Sequence, residues 1–293
     1  MELAIRRLTP VFGAEVVGVE IAAGIDDAMF QQIWDAFNEY SVLVFSGQQL
    51  MDEQHISFSE RFGPLESTVV GAGGAGSELA MISNVDAEGK LIPPDSQRGM
   101  FSRANQLWHM DSSFKPTPAM VSLLYALELP TEGGETELAS TRAAYAALPK
   151  ATKERVQDLI AEHSLGHSRA KVSAEAMTEE QHRAMPPVLQ ALVRENPVNG
   201  AKALYLGSHV ARIVDFDGDN GDGTAFHDQL LAFAVQPRFV YRHAWQAGDS
   251  VIWDNRAVLH RGRPWNPAAR RILHRTTVAD EGPTVVEGQI IRR

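Results

Sequence analysis

The chain has 293 residues, with 37 acidic against 27 basic side chains, a net charge of -10, and 44% hydrophobic residues. That apolar share builds a sizeable core and excludes a wholly disordered chain; an acidic balance with no Lys/Arg run makes a poor nucleic-acid binder and offers no attraction to an anionic membrane face. There is no cysteine, which excludes disulfides, thiolate metal sites and cysteine nucleophiles. No leader-like apolar stretch follows Arg6 and Arg7, and no run approaches about 18 apolar residues, so a cytoplasmic protein is expected.

Residues 3–8 and 15–21 read as strands, the second carrying Val16, Val17 and Val19. Asp26 or Asp27 caps a helix running to about Tyr40, with Phe30, Ile33, Trp34 and Phe37 on one face. Residues 41–45 form an apolar strand too short for a helix, and Asp52 caps a second helix that Gly63-Pro64 ends. The stretch 67–106 is rich in Gly, Ser and Asp, with one strand at 80–85. A loop of that length inside a compact domain is functional or disordered, and its place between the first helices and the first chemical motif makes it a candidate mobile lid.

A strand at 120–129 leads through the Gly133-Gly134 turn to another at 135–138. Helices are expected at 141–148, 150–161 and 178–185. Strands at 192–195 and 203–206 flank Asn199-Gly200, a hairpin signal. A helix at 224–235 precedes strands at 239–243, 250–253, 258–260 and 272–278, with Gly248-Asp249 as a tight turn. A strand-rich second half with such turn spacing suggests a sandwich or barrel, helices being insertions. No linker divides the chain, so one domain over 1–293 is expected.

Among ten histidines only His109 has an acid two positions on, in His109-Met110-Asp111. In a strand, residues i and i+2 share a face, so both side chains can enter one cavity. A core histidine beside a turn aspartate gives the same pattern. A facial triad of two His and one carboxylate needs a second His from a distant strand and leaves open positions on iron. His260, just after Trp253-Asp254-Asn255-Arg256, is the best candidate, with His243 and His274 as competitors. Strand alternation puts Arg271, Leu273 and Arg275 on one face. Two arginines there are either a solvated barrel exterior or two internal anion sites, and a planar guanidinium suits a carboxylate.

Several longer stretches then stand out: Arg61-Phe62-Gly63-Pro64-Leu65-Glu66, the run from Asn105 to Phe114 around the His-x-Asp, Gly133-Gly134-Glu135-Thr136-Glu137, and Trp253 through His260-Arg261-Gly262. In order and spacing they resemble the iron(II)/2-oxoglutarate dioxygenases of the taurine dioxygenase and 2,4-dichlorophenoxyacetate dioxygenase group, most closely the latter type. The resemblance covers most of the chain. It implies a mainly β, cupin-like double-stranded β-helix (jelly roll) with helical insertions. It implies Fe(II) held by His109, Asp111 and His260, with 2-oxoglutarate and O2 as co-substrates and the same three residues as the catalytic centre. Thr136 and Arg271 match the residues that bind the distal carboxylate of 2-oxoglutarate.

For the prime substrate, Arg275 matches an arginine that contacts the anionic head group. Asn105, Ser113 and His209 are further candidates for the pocket. Relatives place a Lys or His after the Gly-Pro-Leu-Glu motif; here Ser67-Thr68-Val69-Val70-Gly71 has neither, and Lys90 could substitute only if the lid folds back. The implied reaction hydroxylates a small anion, above all an aryloxyalkanoate, cleaving it to a phenol and glyoxylate with succinate and CO2. An alkylsulfonate dioxygenase, a non-catalytic jelly-roll binding protein and a zinc hydrolase are the alternatives. A homo-oligomer without nucleic-acid or membrane partners is expected.

Overall fold

The computed structural model describes residues 2–69, 72–217 and 223–292. Val70 and Gly71, within the stretch expected to form a lid, lie outside the described residues. Two sheets face one another. The larger has seven strands in the order Ala4–Arg7, Ala14–Val17, Val42–Phe45, Ser250–Asp254, Ala119–Glu128, Ile272–Ala279 and Ala80–Ser83. All pairings are antiparallel except Ala14–Val17 with Val42–Phe45. The smaller sheet runs Val240–His243, Thr136–Ser140, Val258–Gly262, all antiparallel. Together they form the double-stranded β-helix expected from the sequence.

Side-chain alternation sorts the apolar residues into layers. Leu124, Val251, Trp253 and Leu273 of the large sheet meet Leu138 and Val258 of the small one in a core between the sheets. The opposite face of the large sheet carries Leu43, Leu123, Tyr125 and Ile252, and buries them against Ile33, Phe37, Phe58 and Phe62. These belong to or follow the helices Asp27–Tyr40 and Asp52–Glu60. The first helix begins where the sequence suggests: the Asp26 side chain accepts from the Met29 amide at 2.7 Å. The outer face of the small sheet, with Ala139 and Leu259, is covered by Ala144, Leu148, Phe226 and Leu230. Each sheet is thus buried on both faces, which explains why its strands read as apolar runs rather than strict alternation.

Two expectations are corrected. The helix expected over 150–161 stops at Val156, and Ile160–His163 is a strand. It pairs with Val188–Ala191 and Val210–Ile213 and buries Ala161 and His163; tertiary pairing overrides local helix preference there. The stretch 67–106 holds a helix, Gln97–Arg103, with the Ser96 side chain accepting from the Gly99 amide at 3.2 Å. Gly99 and Ser102 hide this helix from a propensity reading, but Phe101 anchors it in the interior.

Candidate active site

His109 lies directly opposite His260. Each backbone N–H donates to the other residue's carbonyl, at 3.0 and 2.9 Å. This isolated antiparallel bridge brings the rings to a centroid distance of 4.2 Å. Asp111 follows two residues on and enters the same space. His109 Nε2 stands 3.9 Å from Asp111 Oδ1, and His260 Nε2 stands 3.4 Å from Asp111 Oδ2. Candidate ligand atoms of all three lie within 4.8 Å of one another. Three donors bound facially at about 2.1 Å from one ion would stand about 3 Å apart, so small side-chain movements complete the site.

The donor chemistry fits iron. All three residues are buried. Burial lowers the basicity of both imidazoles below the ordinary histidine range, keeping a lone pair available. Burial would raise Asp111, but Arg275 foremost, then His260 and His109, hold its carboxyl well below the usual range. The Nδ1–H of His109 faces the Leu107 carbonyl at 2.7 Å, which leaves Nε2 as the metal-facing atom. Asp111 is oriented by Ser122 Oγ donating to Oδ2 at 2.7 Å. Asn255 holds that pair, with its Oδ1 accepting from the Asp111 amide and its Nδ2 donating to Ser122 Oγ. Trp253 Nε1 in turn donates to Asn255 Oδ1 at 3.0 Å. Gly207, at φ +128, passes so close that a Cβ would stand 3.0 Å from the His109 Cα.

The competing histidines are engaged elsewhere. His243 bonds Asp249 at 3.0 Å and Tyr241 at 3.1 Å. His274 points to the other face of its strand and meets Asp52 at 2.7 Å.

A cavity of about 360 Å³ opens beside the triad, with Thr136 and Arg271 in its wall. Arg271 immediately precedes Ile272–Ala279 and is buried, so the solvated-exterior alternative fails. Its Nε donates to the Gly134 carbonyl at 3.1 Å, and its guanidinium lies 5.0 Å from the Trp265 ring centre. Gly134, at φ +75, has no room for a side chain, since a Cβ would stand 3.0 Å from that Nε. Trp245 Nε1 donates to Thr136 Oγ1 at 3.0 Å, which leaves the Thr136 hydroxyl proton for an acceptor in the cavity. Sequence reasoning overlooked Trp245 and Trp265.

Arg275 also lines the cavity, and its Nη1 contacts Asp111 Oδ1. Asn105 lies in the wall as well. His209 lines a second, smaller space on the Asp111 side. Ser113 lines neither space: it is buried behind His209, its Oγ 3.1 Å from Nδ1, so its expected place in the pocket is corrected to a support for the imidazole. Lys90 is exposed and away from both spaces.

A cupin-like barrel with a facial triad beside a buried arginine and a threonine defines the iron(II)/2-oxoglutarate-dependent dioxygenases. The profile of the "Taurine catabolism dioxygenase TauD, TfdA family" matches residues 4–277, and the chain belongs to that family. It is 40% identical over 286 residues to the alpha-ketoglutarate-dependent 2,4-dichlorophenoxyacetate dioxygenase of Cupriavidus pinatubonensis, covering 96% of this chain and 99% of that one. It is 36% identical to the (S)-phenoxypropionate/alpha-ketoglutarate-dioxygenase of Sphingobium herbicidovorans, covering 94% and 95%. The crystal structure of AAD-2 with Mn(II) and N-oxalylglycine superposes with a TM-score of 0.90 at 39% identity, covering 98% of this chain and all of that one. This chain is therefore an enzyme, a dioxygenase that uses iron(II), 2-oxoglutarate and O2. Among the described residues no helix is long and apolar enough to cross a membrane.

Proposed function

We propose that the enzyme hydroxylates the carbon between ring oxygen and carboxylate of an aryloxyalkanoate, with 2-oxoglutarate as co-substrate. The observation that carries this reading is a largely apolar cavity at the triad whose wall holds two guanidinium groups, Arg271, buried without an acid and suited to 2-oxoglutarate, and Arg275, half-buried beside Asp111. Both 2,4-dichlorophenoxyacetate and phenoxypropionate enzymes among the relatives support it.

Arg271 and Thr136 receive the distal carboxylate of 2-oxoglutarate, the arginine through a fork aligned by Gly134 and Trp265. His109, Asp111 and His260 hold the iron, which supplies the oxidising chemistry that turns 2-oxoglutarate, O2 and the C–H bond into succinate, CO2 and an alcohol. Ser122 and Asn255 keep the Asp111 carboxylate in its one productive orientation. Phe101, Ile82 and Leu124 exclude water and give an aromatic ring an apolar surface. The hydroxylated carbon also carries the ether oxygen, so the hemiacetal collapses to a phenol and, from an aryloxyacetate, glyoxylate. The segment 72–106 contributes Phe101, Asn105 and Gln106 to the cavity wall, in keeping with a lid that closes over substrate. We also take the chain to be one domain and a cytoplasmic homo-oligomer, in keeping with its cysteine-free, acidic sequence.

Succinate release with added Fe(II), measured across aryloxyacetates, aryloxypropionates and alkylsulfonates, tests the reading. Aryloxyalkanoates should be turned over, and their amides should not. Turnover of alkylsulfonates alone would overturn the substrate class.

A further inference from the structure

Three arginines are buried among the described residues: Arg169, Arg256 and Arg271. Arg256 is matched by Asp254 at 2.9 Å. Arg271 has no acid and faces the space assigned to 2-oxoglutarate. Arg169 has none either, and nothing in the reaction described so far uses it.

Arg169 sits on the short helix Leu165–Ala170, which the sequence analysis missed, and is 7% exposed. Its guanidinium lies 4.3 Å from the centre of the Phe101 ring. Nη1 makes a long contact to Ser168 Oγ at 3.4 Å, and Nε is buried without a partner. Burial foremost, and then Arg275, pushes its pKa down to about 10, so it remains charged at neutral pH. A buried, charged and unpaired guanidinium is costly unless something binds to it.

The space it faces says what that is. Arg169 lines a cavity of about 70 Å³ beside Asp111, with Arg275, His209 and Phe114. Phe101, Asn105, His109 and Arg275 border both this space and the larger one. The small space is of the size of a head group and shares these wall residues with the larger one. Of the acids on its wall, Glu66 is bound by Lys115 at 2.6 Å and by Ser112 at 2.6 Å, and Glu78 is exposed. Asp111 is matched by Arg275 and belongs to the metal. The balance leaves one positive charge, on Arg169. His209 adds an Nε2 that is buried and unpartnered, with Ser113 fixing the other nitrogen.

We propose that Arg169 is the anchor for the substrate's single negative charge, placed on the Asp111 side of the iron site while Arg271 takes 2-oxoglutarate on the other. Arg275 then acts chiefly by holding Asp111. With its guanidinium against the Phe101 ring and no acid beside it, Arg169 has N–H groups to offer a bidentate carboxylate. This rests on the aryloxyalkanoate reading for the identity of the anion but not for its charge.

The test is Arg169→Met, which keeps an unbranched apolar stem but removes charge and fork. Its KM for 2,4-dichlorophenoxyacetate should rise roughly 30-fold or more, with the KM for 2-oxoglutarate moving far less. The discrimination between the acid and its methyl ester should collapse in the same variant. Because no acid in the free enzyme loses a partner, the Tm of Arg169→Met without substrate should equal or exceed that of the parent. Arg169→Lys, which restores charge without the fork, should recover part of the KM loss. An unchanged KM for the acid, or a lowered Tm with both KM values raised together, would overturn the assignment. If the parent enzyme acts only on an alkylsulfonate and Arg169→Met loses that activity, the anchor stands and the aryloxyalkanoate reading falls.

Discussion

Replacing Arg271 with lysine tests the co-substrate site at its most exacting point. In the structure the Arg271 side chain does three things at once. Its Nε is fixed on the Gly134 carbonyl, its plane lies by Trp265, and its remaining N–H groups face the cavity. Burial alone pushes its pKa down to about 10, with no acid to offset it, which is the state of a cation awaiting a counter-ion. Lysine keeps the charge but loses the fork and abandons the Gly134 carbonyl. One charge-assisted hydrogen bond contributes about 1.5–3 kcal/mol, so a loss of about 2 kcal/mol is expected. At about 1.4 kcal/mol per tenfold change, the KM for 2-oxoglutarate should rise roughly 30-fold. The assay is initial-rate succinate formation as 2-oxoglutarate is varied at saturating prime substrate, and then the reverse. The KM for the prime substrate should change by less than about threefold, since Arg271 does not line the smaller space. Equal effects on both substrates, or none on 2-oxoglutarate, would refute the reasoning.

His109→Ala, Asp111→Ala and His260→Ala should each abolish turnover and weaken Fe(II) binding in equilibrium dialysis, because two ligands do not fix a facial site; His243→Ala should retain iron, and the opposite pattern would move the second ligand to His243. A pH effect on stability follows from three histidines outside the site, where burial foremost pushes His55 and His227 down to about 4 and His163 to about 3. Between their ordinary value of about 6.5 and those values the unfolded chain binds protons that the folded chain does not. Stability should therefore fall as pH drops through that window, by up to about 1.4 kcal/mol per pH unit for each histidine. Urea unfolding at about pH 7 and about pH 5 reads this directly, and a midpoint that stays level or rises at the lower pH would contradict it.

The chemistry of the site is legible because its residues keep strand-like spacing even where the strands are interrupted: His109 makes an isolated bridge and Asp111 lies in the turn after it. His109 and Asp111 are two apart, and Arg271, Leu273 and Arg275 alternate, so a period of two puts each set on one face. His260 was chosen over His243 and His274 through sequence context, and the structure gives the physical reason: those two already have Asp249 and Asp52. What stayed hidden lies on short or interrupted elements. The six-residue helix carrying Arg169 has too few turns to show a periodicity. The strand Ile160–His163 was absorbed into the preceding helix because its identity comes from two partners distant in sequence. Ser113 was placed in the pocket since it neighbours the triad in sequence, yet its hydroxyl turns toward His209.

The reciprocal backbone bonds between His109 and His260 also govern when the site can exist. The two residues are separated by roughly 150 positions, and such distant pairings close late in folding because loop entropy must be overcome first. During synthesis the His-x-Asp half emerges long before its partner strand, so a nascent chain offers iron at most two protein ligands. The pairing is made by main-chain atoms rather than by the imidazoles that would hold iron. Iron bound there would act as a clasp between the middle and last thirds of the chain. Bound only by the folded chain, it would stabilise the finished barrel by mass action.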